Sequence, residues 1–231
     1  MSIALILYGS RARGDHRMTS DTDMLGITID GNVKRNPSKR GVSFHEYPYK
    51  YMEKMCQKGD LFFLHIVSEG VTLKDSLELL VRLQNSFEYK NSYKTEKAEA
   101  AAIIWYCHEY RDGAIDDRFR KRLVWSIRTL IIADAAEQKR AIFSSKDLEA
   151  YSDISGLRNL IDGRATTDVD ELLTYSKKIC RKYYKLTRPQ NRQTKSLVIS
   201  WMKKKGSLAG STPYYLVGKK PKKAALSIHY D

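Results

Sequence analysis

Cysteine is scarce in this chain of 231 residues: Cys56, Cys107 and Cys180 stand far apart, with no Cys-x-x-Cys pair and no neighbouring histidine pair. An odd, scattered set of thiols excludes a disulfide scaffold and a zinc finger, and it points to a reducing cytoplasm. Long apolar runs are absent as well. None approaches the roughly eighteen residues of a membrane span, and the apolar opening Ile3 to Tyr8 lacks the basic flank and small-residue cleavage site of a signal peptide. A cytoplasmic protein with no membrane partner is therefore expected. The last quarter has a single acid, its final residue Asp231. Between Leu172 and Tyr230 there are fifteen Lys or Arg and not one Asp or Glu, whereas residues 1–171 hold 26 basic and 26 acidic residues. The net charge of +14 thus belongs to the C-terminal segment and not to the body. With 42% hydrophobic residues the body is long and apolar enough for a real core, so disorder is excluded for most of the chain.

The first third reads as mixed α/β. Ile3-Ala-Leu-Ile-Leu-Tyr8 is an apolar run of strand length that stops at Gly9-Ser10, and a second strand candidate runs from Asp23 to Ile29 before the turn pair Asp30-Gly31. The polar stretch Asn32 to Gly41 reads as a surface loop or hairpin connection, and Val42 to Tyr47 as a third strand. Two short helices follow, at Tyr49 to Gln57 and Asp60 to Ser68. From about Asp75 the apolar period becomes helical, with Glu96 to Tyr110 and Asp117 to Arg140 the longest segments. Thr167-Asp-Val-Asp170 resembles a capping box opening a helix to about Lys185, and Thr194 to Lys205 is a last helix candidate, stopped by Gly206. The expected fold class is α+β: a mixed sheet with flanking helices over residues 1–75, a helical bundle over 76–187, and a basic extension over 188–231.

The densest chemistry lies in Tyr8-GSRARGDHRMTSDTD-Met24. A strand running into Gly9-Ser10 and then a helix turns backbone N–H groups and the Ser10 hydroxyl toward a phosphate, with Arg11 and Arg13 beside it. Basic residues at a helix start oppose the macrodipole and so call for a compensating anion. Asp21 and Asp23, at alternate strand positions, project from one face. Two adjacent carboxylates repel unless a cation lies between them, and Mg²⁺ or Mn²⁺ takes such hard oxygen ligands together with substrate phosphates. A phosphate cradle beside a divalent-metal ligand pair is the equipment of nucleotidyl transfer from an NTP.

Gly9-Ser10, an arginine-rich turn and Ser20-Asp-Thr-Asp-Met24 together resemble the signature of the DNA polymerase β-like nucleotidyltransferase superfamily, in particular its minimal and kanamycin nucleotidyltransferase-like branches. The resemblance implies that Gly9 and Ser10 bind the β and γ phosphates and that Asp21 and Asp23 are metal ligands. It also implies a third carboxylate on a later strand, as ligand and as base for the incoming hydroxyl. The sequence departs from the pattern there. The third strand reads Val42-Ser-Phe-His-Glu-Tyr47, with Ser43 where an aspartate is expected; Glu46 is the nearest carboxylate and His45 a possible substitute base. Glu46 is taken as the expected third catalytic and metal-binding residue. His65, between Leu64 and Ile66, reads as a core histidine, and Trp105 and Trp125 as packing residues.

The basic quarter interleaves charge with Tyr183, Tyr184, Trp201, Tyr214 and Tyr215, a pattern suited to stacking on bases while cations track phosphates. Lys203, Lys204, Lys205, Lys219, Lys220, Lys222 and Lys223 are its candidate nucleic-acid contacts. The acceptor of the transferred nucleotide is thus expected to be RNA with a tRNA-like end, or a protein side chain; an aminoglycoside-type small molecule ranks third. A non-catalytic nucleic-acid or protein binding module on a degenerate nucleotidyltransferase fold is the competing class, and synthesis of a signalling nucleotide from two NTPs a weaker option.

Overall fold

The computed structural model describes residues 2–18, 20–39, 41–110, 116–186 and 195–218, which form two compact units, Met1–Asn91 and Ser92–Asp231. The first is a mixed sheet with helices. Its elements are β1 (Ala4–Tyr8), the single turn α1 (Ser10–Arg13), β2 (Thr22–Thr28), β3 (Lys34–Lys39), β4 (Val42–Pro48), α2 (Tyr49–Gln57), α3 (Leu61–Glu69), β5 (Val71–Asp75) and α4 (Leu79–Ser86). The five strands lie in the order β3-β4-β2-β1-β5; β2 and β4 are parallel, and the other neighbours are antiparallel.

Strand alternation sorts this sheet into two faces. Ala4, Ile6, Tyr8, Leu25, Ile27 and Tyr47 share one face and are buried. Phe62, Phe63 and Tyr51 from the helices cover it, with Tyr8 edge-on to Phe62 and Tyr47 edge-on to Phe63. The other face carries Leu5, Leu7, Met24 and Phe44, which are only half-buried. α3 starts where Asp60 accepts hydrogen bonds from the N–H groups of Phe62 and Phe63. α4 belongs to this unit because Gln84 Nε2 donates to the Val67 carbonyl at 3.0 Å and Glu88 N to the Cys56 carbonyl at 3.1 Å. Helix thus follows Asp75 as the periodicity suggests, but its first helix, α4, groups with the first unit. The expected hairpin connection at Asn32–Gly41 contains a strand, β3, and an unanticipated edge strand, β5, follows α3.

The second unit is helical: α5 (Lys94–Glu109), α6 (Asp117–Glu137), α7 (Ser145–Ser152), α8 (Leu157–Asp162), α9 (Val169–Tyr183), α10 (Lys195–Lys205) and α11 (Ser207–Leu216). Its core is built from buried positions one helical face apart, such as Ala100, Ile103 and Ile104 of α5 and Leu123, Ile127, Leu130 and Ile131 of α6. The cap of α9 is Asp168, which accepts from Asp170 N and Glu171 N, one residue beyond the Thr167 of the capping-box reading. Residues 195–218, read from the sequence as part of a basic extension, fold into α10 and α11 and pack on α5. The half-buried Glu99 of α5 explains why α11 forms despite Pro213 within it. Its carboxylate accepts from Leu208 N at 2.7 Å and Ala209 N at 3.0 Å, supplying the start of α11 with a cap that no local side chain provides. Burial pushes the Cys56 and Cys107 thiols up to about 12, whereas Cys180 is only half-buried. No helix among the described residues is long and apolar enough to cross a membrane.

One buried cation ties α5 to α6. Lys97, with its side chain 8% exposed, places Nζ 2.7 Å from both Asp134 Oδ1 and Glu137 Oε2. Burial would lower the Lys97 pKa, but the two carboxylates outweigh it and raise the value. Burial would likewise raise the Glu137 pKa, yet hydrogen bonds from Lys97 and from Tyr93 N bring it below the ordinary carboxylate range. Both shifts favour the charged pair in the folded state. Its contribution to stability is present between the ordinary carboxylate and lysine pKa values; it is lost as pH falls through the folded Glu137 value, or rises through the folded Lys97 value. Lys97→Met strands two part-buried carboxylates and is expected to cost about 3 kcal/mol at neutral pH. Urea melts across pH should show the gap from wild type shrinking below about pH 4, where the stranded acids protonate; an unchanged gap would count against the pair.

Candidate functional site

The conserved geometry of a β-strand, with side chains alternating between faces, decides which polar residues of the first unit can meet. Tyr8 pairs with Asp23 across β1 and β2, and Asp23 pairs with Ser43 across β2 and β4. The last residue of β1, the first residues of β2 and the first residues of β4 therefore lie side by side at one end of the sheet. Gly9 and Ser10 leave β1 at this end. Gly9 adopts φ 75° and ψ −156°, a region open essentially to glycine alone, and a methyl group built on it would meet Asp23 Oδ2 at 2.9 Å. The backbone turn and the Asp23 carboxylate are in near contact as a result. Asp21 stands two residues upstream, just before β2, and is exposed; Gly41 flanks it, where a built methyl would lie 3.8 Å from Asp21 Oδ1. The structure thus sets Gly9 against Asp23, with Ser10 next in the chain, and sets Asp21 beside Gly41, whose place just before β4 is its sequence signal.

Glu46 does not join them. It pairs with Gly26, one residue out of phase with Asp23 and Ser43, so it stands on the opposite face of the sheet. There it accepts a hydrogen bond from Ser2 Oγ at 2.7 Å and lies 3.8 Å from Lys34 Nζ. The expectation that Glu46 is a metal ligand and catalytic carboxylate is corrected on this ground. The residues that β4 turns toward the Asp21 and Asp23 face are Ser43, His45 and Tyr47, with His45 stacked on Tyr47 at 6.5 Å.

The arginines have partners within the protein. Arg11 Nη2 donates to the Ser20 carbonyl at 2.9 Å and so holds the end of the loop that leads to Asp21. Arg13 contacts Asp15 and places Nη1 2.5 Å from Glu69 Oε2. Burial alone would lower the Arg13 pKa, but the charges of Glu69 and Asp15 outweigh it and raise the value. The anion that the first-turn arginines call for is thus supplied internally in the case of Arg13. Glu69 also lies 2.7 Å from His65 Nε2, and His65 is buried edge-on to Tyr8 at 5.7 Å, as a core histidine would be. Glu69 thereby fastens α1 to α3.

Asp23, against the Gly9 turn, and the exposed Asp21 two residues earlier are the carboxylates that could hold one Mg²⁺ or Mn²⁺ sharing its shell with substrate phosphates. Among the described residues no group of three His, Cys, Asp or Glu side chains could hold a metal ion on protein ligands alone. Of the candidate nucleic-acid contacts, Lys203 and Lys204 are exposed on α10 and Lys205 is half-buried with Nζ 5.4 Å from the Trp201 ring. Lys219, Lys220, Lys222 and Lys223 lie outside the described residues.

No protein-family model matches the chain, and no curated protein matches it. Among solved structures it is similar to a nucleotidyltransferase-like protein from Exiguobacterium sibiricum 255-15, with 13% sequence identity and a TM-score of 0.34, over 92% of this chain and 72% of that one. At that TM-score the likeness carries no weight for membership or activity.

Gly9→Ala is expected to destabilise the first unit by about 1–3 kcal/mol, because alanine is strained at this φ and ψ and its methyl must displace the Asp23 carboxylate. Chemical denaturation checks this with Gly14→Ala as the milder reference, since Gly14 has a similar φ but a ψ of 9° and a methyl there meets nothing within 4 Å; a Gly9→Ala loss no larger than that reference would count against both causes.

Proposed function

We propose that this chain is a metal-dependent nucleotidyltransferase, moving a nucleoside monophosphate from an NTP to an acceptor hydroxyl. The observation that carries the reading is the near contact of the Gly9 turn with the Asp23 carboxylate where β1 and β2 pair, with the exposed Asp21 two residues before it. In this reading the backbone N–H groups after Gly9 and the Ser10 hydroxyl donate to the β and γ phosphates of the NTP. Asp21 and Asp23 would hold a divalent cation, which neutralises phosphate charge when bound. The acceptor oxygen bonds to the α-phosphorus as the bond to the β-phosphate oxygen breaks, and pyrophosphate leaves. His45, the titratable group that β4 turns to this face beside the buried Tyr47, accepts the acceptor proton in place of the carboxylate that Ser43 does not provide. The exposed lysines of α10 and a last quarter with one acid, Asp231, favour RNA as acceptor, with a protein side chain the alternative.

A second reading has support in Ser43. With a hydroxyl opposite Asp23 and no three-residue metal cluster among the described residues, the first unit also fits a binding module that retains NTP without turning it over.

One experiment separates the two readings: transfer from each α-³²P-labelled NTP, with Mg²⁺ or Mn²⁺, into separated RNA, protein and small-molecule fractions. The catalytic reading expects label in one fraction and a loss of about a hundredfold or more in the Asp21→Ala, Asp23→Ala double variant. NTP binding without label in any fraction would establish the binding module instead. In the catalytic case His45→Gln is expected to slow transfer by about two orders of magnitude and to alter the acid limb of the pH–rate profile, whereas Glu46→Gln leaves both close to wild type. A pH profile unchanged in His45→Gln would remove it as the base.

A further inference from the structure

The second unit contains a cavity of about 810 Å³ between α5 and α9 that the reading above does not use. That is the size range of small-ligand clefts. Three cations line it: Lys177 and Arg181, one helical turn apart on α9, and Lys185, two residues past the end of that helix at Tyr183. All three are exposed, and none makes a hydrogen bond or ion pair among the described residues. Glu109 is the one acid in the lining. Favourable interaction with the C-terminal end of α9 accounts for basic residues in its last turn, where Arg181 and Lys182 stand, but Lys177 lies earlier and Lys185 lies beyond. Their common feature is the cavity.

The opposite wall is aromatic. Trp105 of α5, read from the sequence as core, is half-buried and lines the cavity. Its ring is fixed from outside, edge-on to Trp201 of α10 at 5.1 Å and to Tyr110 at 6.2 Å. A ring held in this way loses little freedom when a flat ligand stacks on it. His108, with Nε2 3.0 Å from Ser176 Oγ, borders the same space. A fixed aromatic surface facing a row of uncompensated cations is the combination that binds an unpaired nucleic-acid strand, with a base on the ring and successive phosphates on the cations.

We infer that the α5–α9 cavity is a binding site for a single-stranded nucleic acid, with Trp105 as the stacking surface and Lys177, Arg181 and Lys185 as the phosphate track. Two cations one turn apart on a helix, with a third beyond its end, span more than one phosphate, which favours a strand over a mononucleotide. The site is separate from the transfer reading. It needs neither Asp21 nor Asp23 and survives the failure of that reading.

The test is fluorescence anisotropy of a labelled single-stranded uridine dodecamer with the full-length protein at several salt concentrations. Lys177→Ala, Arg181→Ala, Lys185→Ala in combination is expected to make the slope of log affinity against log salt shallower by about two units, the share of three strand phosphates. The control pair Lys146→Ala, Lys178→Ala, exposed and outside the cavity lining, is expected to keep the wild-type slope. Trp105→Leu is expected to weaken binding about tenfold. Because that substitution also removes the contact with Trp201, Trp105→Phe is measured beside it, and recovery of most of the affinity identifies stacking. A wild-type slope in the triple variant would overturn the inference. So would full competition by ATP or by a dodecamer duplex, or an equal loss of affinity in Trp105→Phe and Trp105→Leu. Binding by the Asp21→Ala, Asp23→Ala variant at wild-type strength is expected, which keeps the outcome independent of transfer.

Discussion

One face of β2 has to be both sealed and charged. Leu25 and Ile27 lie on it with no exposure to solvent, Asp23 continues the same alternation two residues before Leu25, and Asp21 comes just before the strand. Carboxylates can occupy that face only where the helical cover ends. The cover is set by α2 and α3, whose aromatic side chains close over Tyr8 and Tyr47, so the edge of the packed rings fixes where polar chemistry begins. The same transition runs along β4, from Ser43 through the half-buried His45 to the buried Tyr47. The site at this end is an outcome of core packing as much as of the Gly-Ser and Asp-x-Asp residues themselves.

The helical unit solves a different problem, that of ordering a C-terminal segment rich in lysine. Like charges repel and α11 contains both Gly210 and Pro213, so local propensity gives it little support. Partners on α5 make up the difference: Glu99 caps α11, and Trp105 packs against Trp201 of α10. The desolvation of Glu99 raises its pKa, although the two backbone donors from α11 oppose that rise. Two side chains of α5 therefore organise segments that lie about a hundred residues away in sequence.

Much of the fold was legible from residue pattern. β1, β4, α2 and α3 fall within a residue or two of their expected spans, because each is bounded by a strong local signal: Gly9-Ser10, Gly41, Pro48 and the Asp60 cap. The missing strands had no such signal. β3 is the polar segment KRNPSK, and β5 carries Val71 and Leu73 exposed on a sheet edge, so neither shows the buried alternation that marks a strand. Asp21, Asp23, Gly9 and Ser10 were legible as a group because spacing along one strand and one turn is local information. The third position was not. Whether Glu46 or His45 faces the aspartates depends on register across β2 and β4, a tertiary pairing that a single sequence leaves open by one residue, and one residue changes the face. Trp105 packs as read, on Trp201 and Tyr110, but its half-buried state at the cavity against α9 is something no property of α5 reveals.

The three thiols are chemically unequal, and this has a practical use. Cys56 and Cys107 are buried with their thiols pushed up to about 12, so at neutral pH they contribute almost no thiolate and are closed to reagents. Cys180 is half-buried and lines the α5–α9 cavity. A maleimide dye applied to the unaltered protein should therefore attach at this one position, placing an optical reporter on the cavity wall without any engineered cysteine.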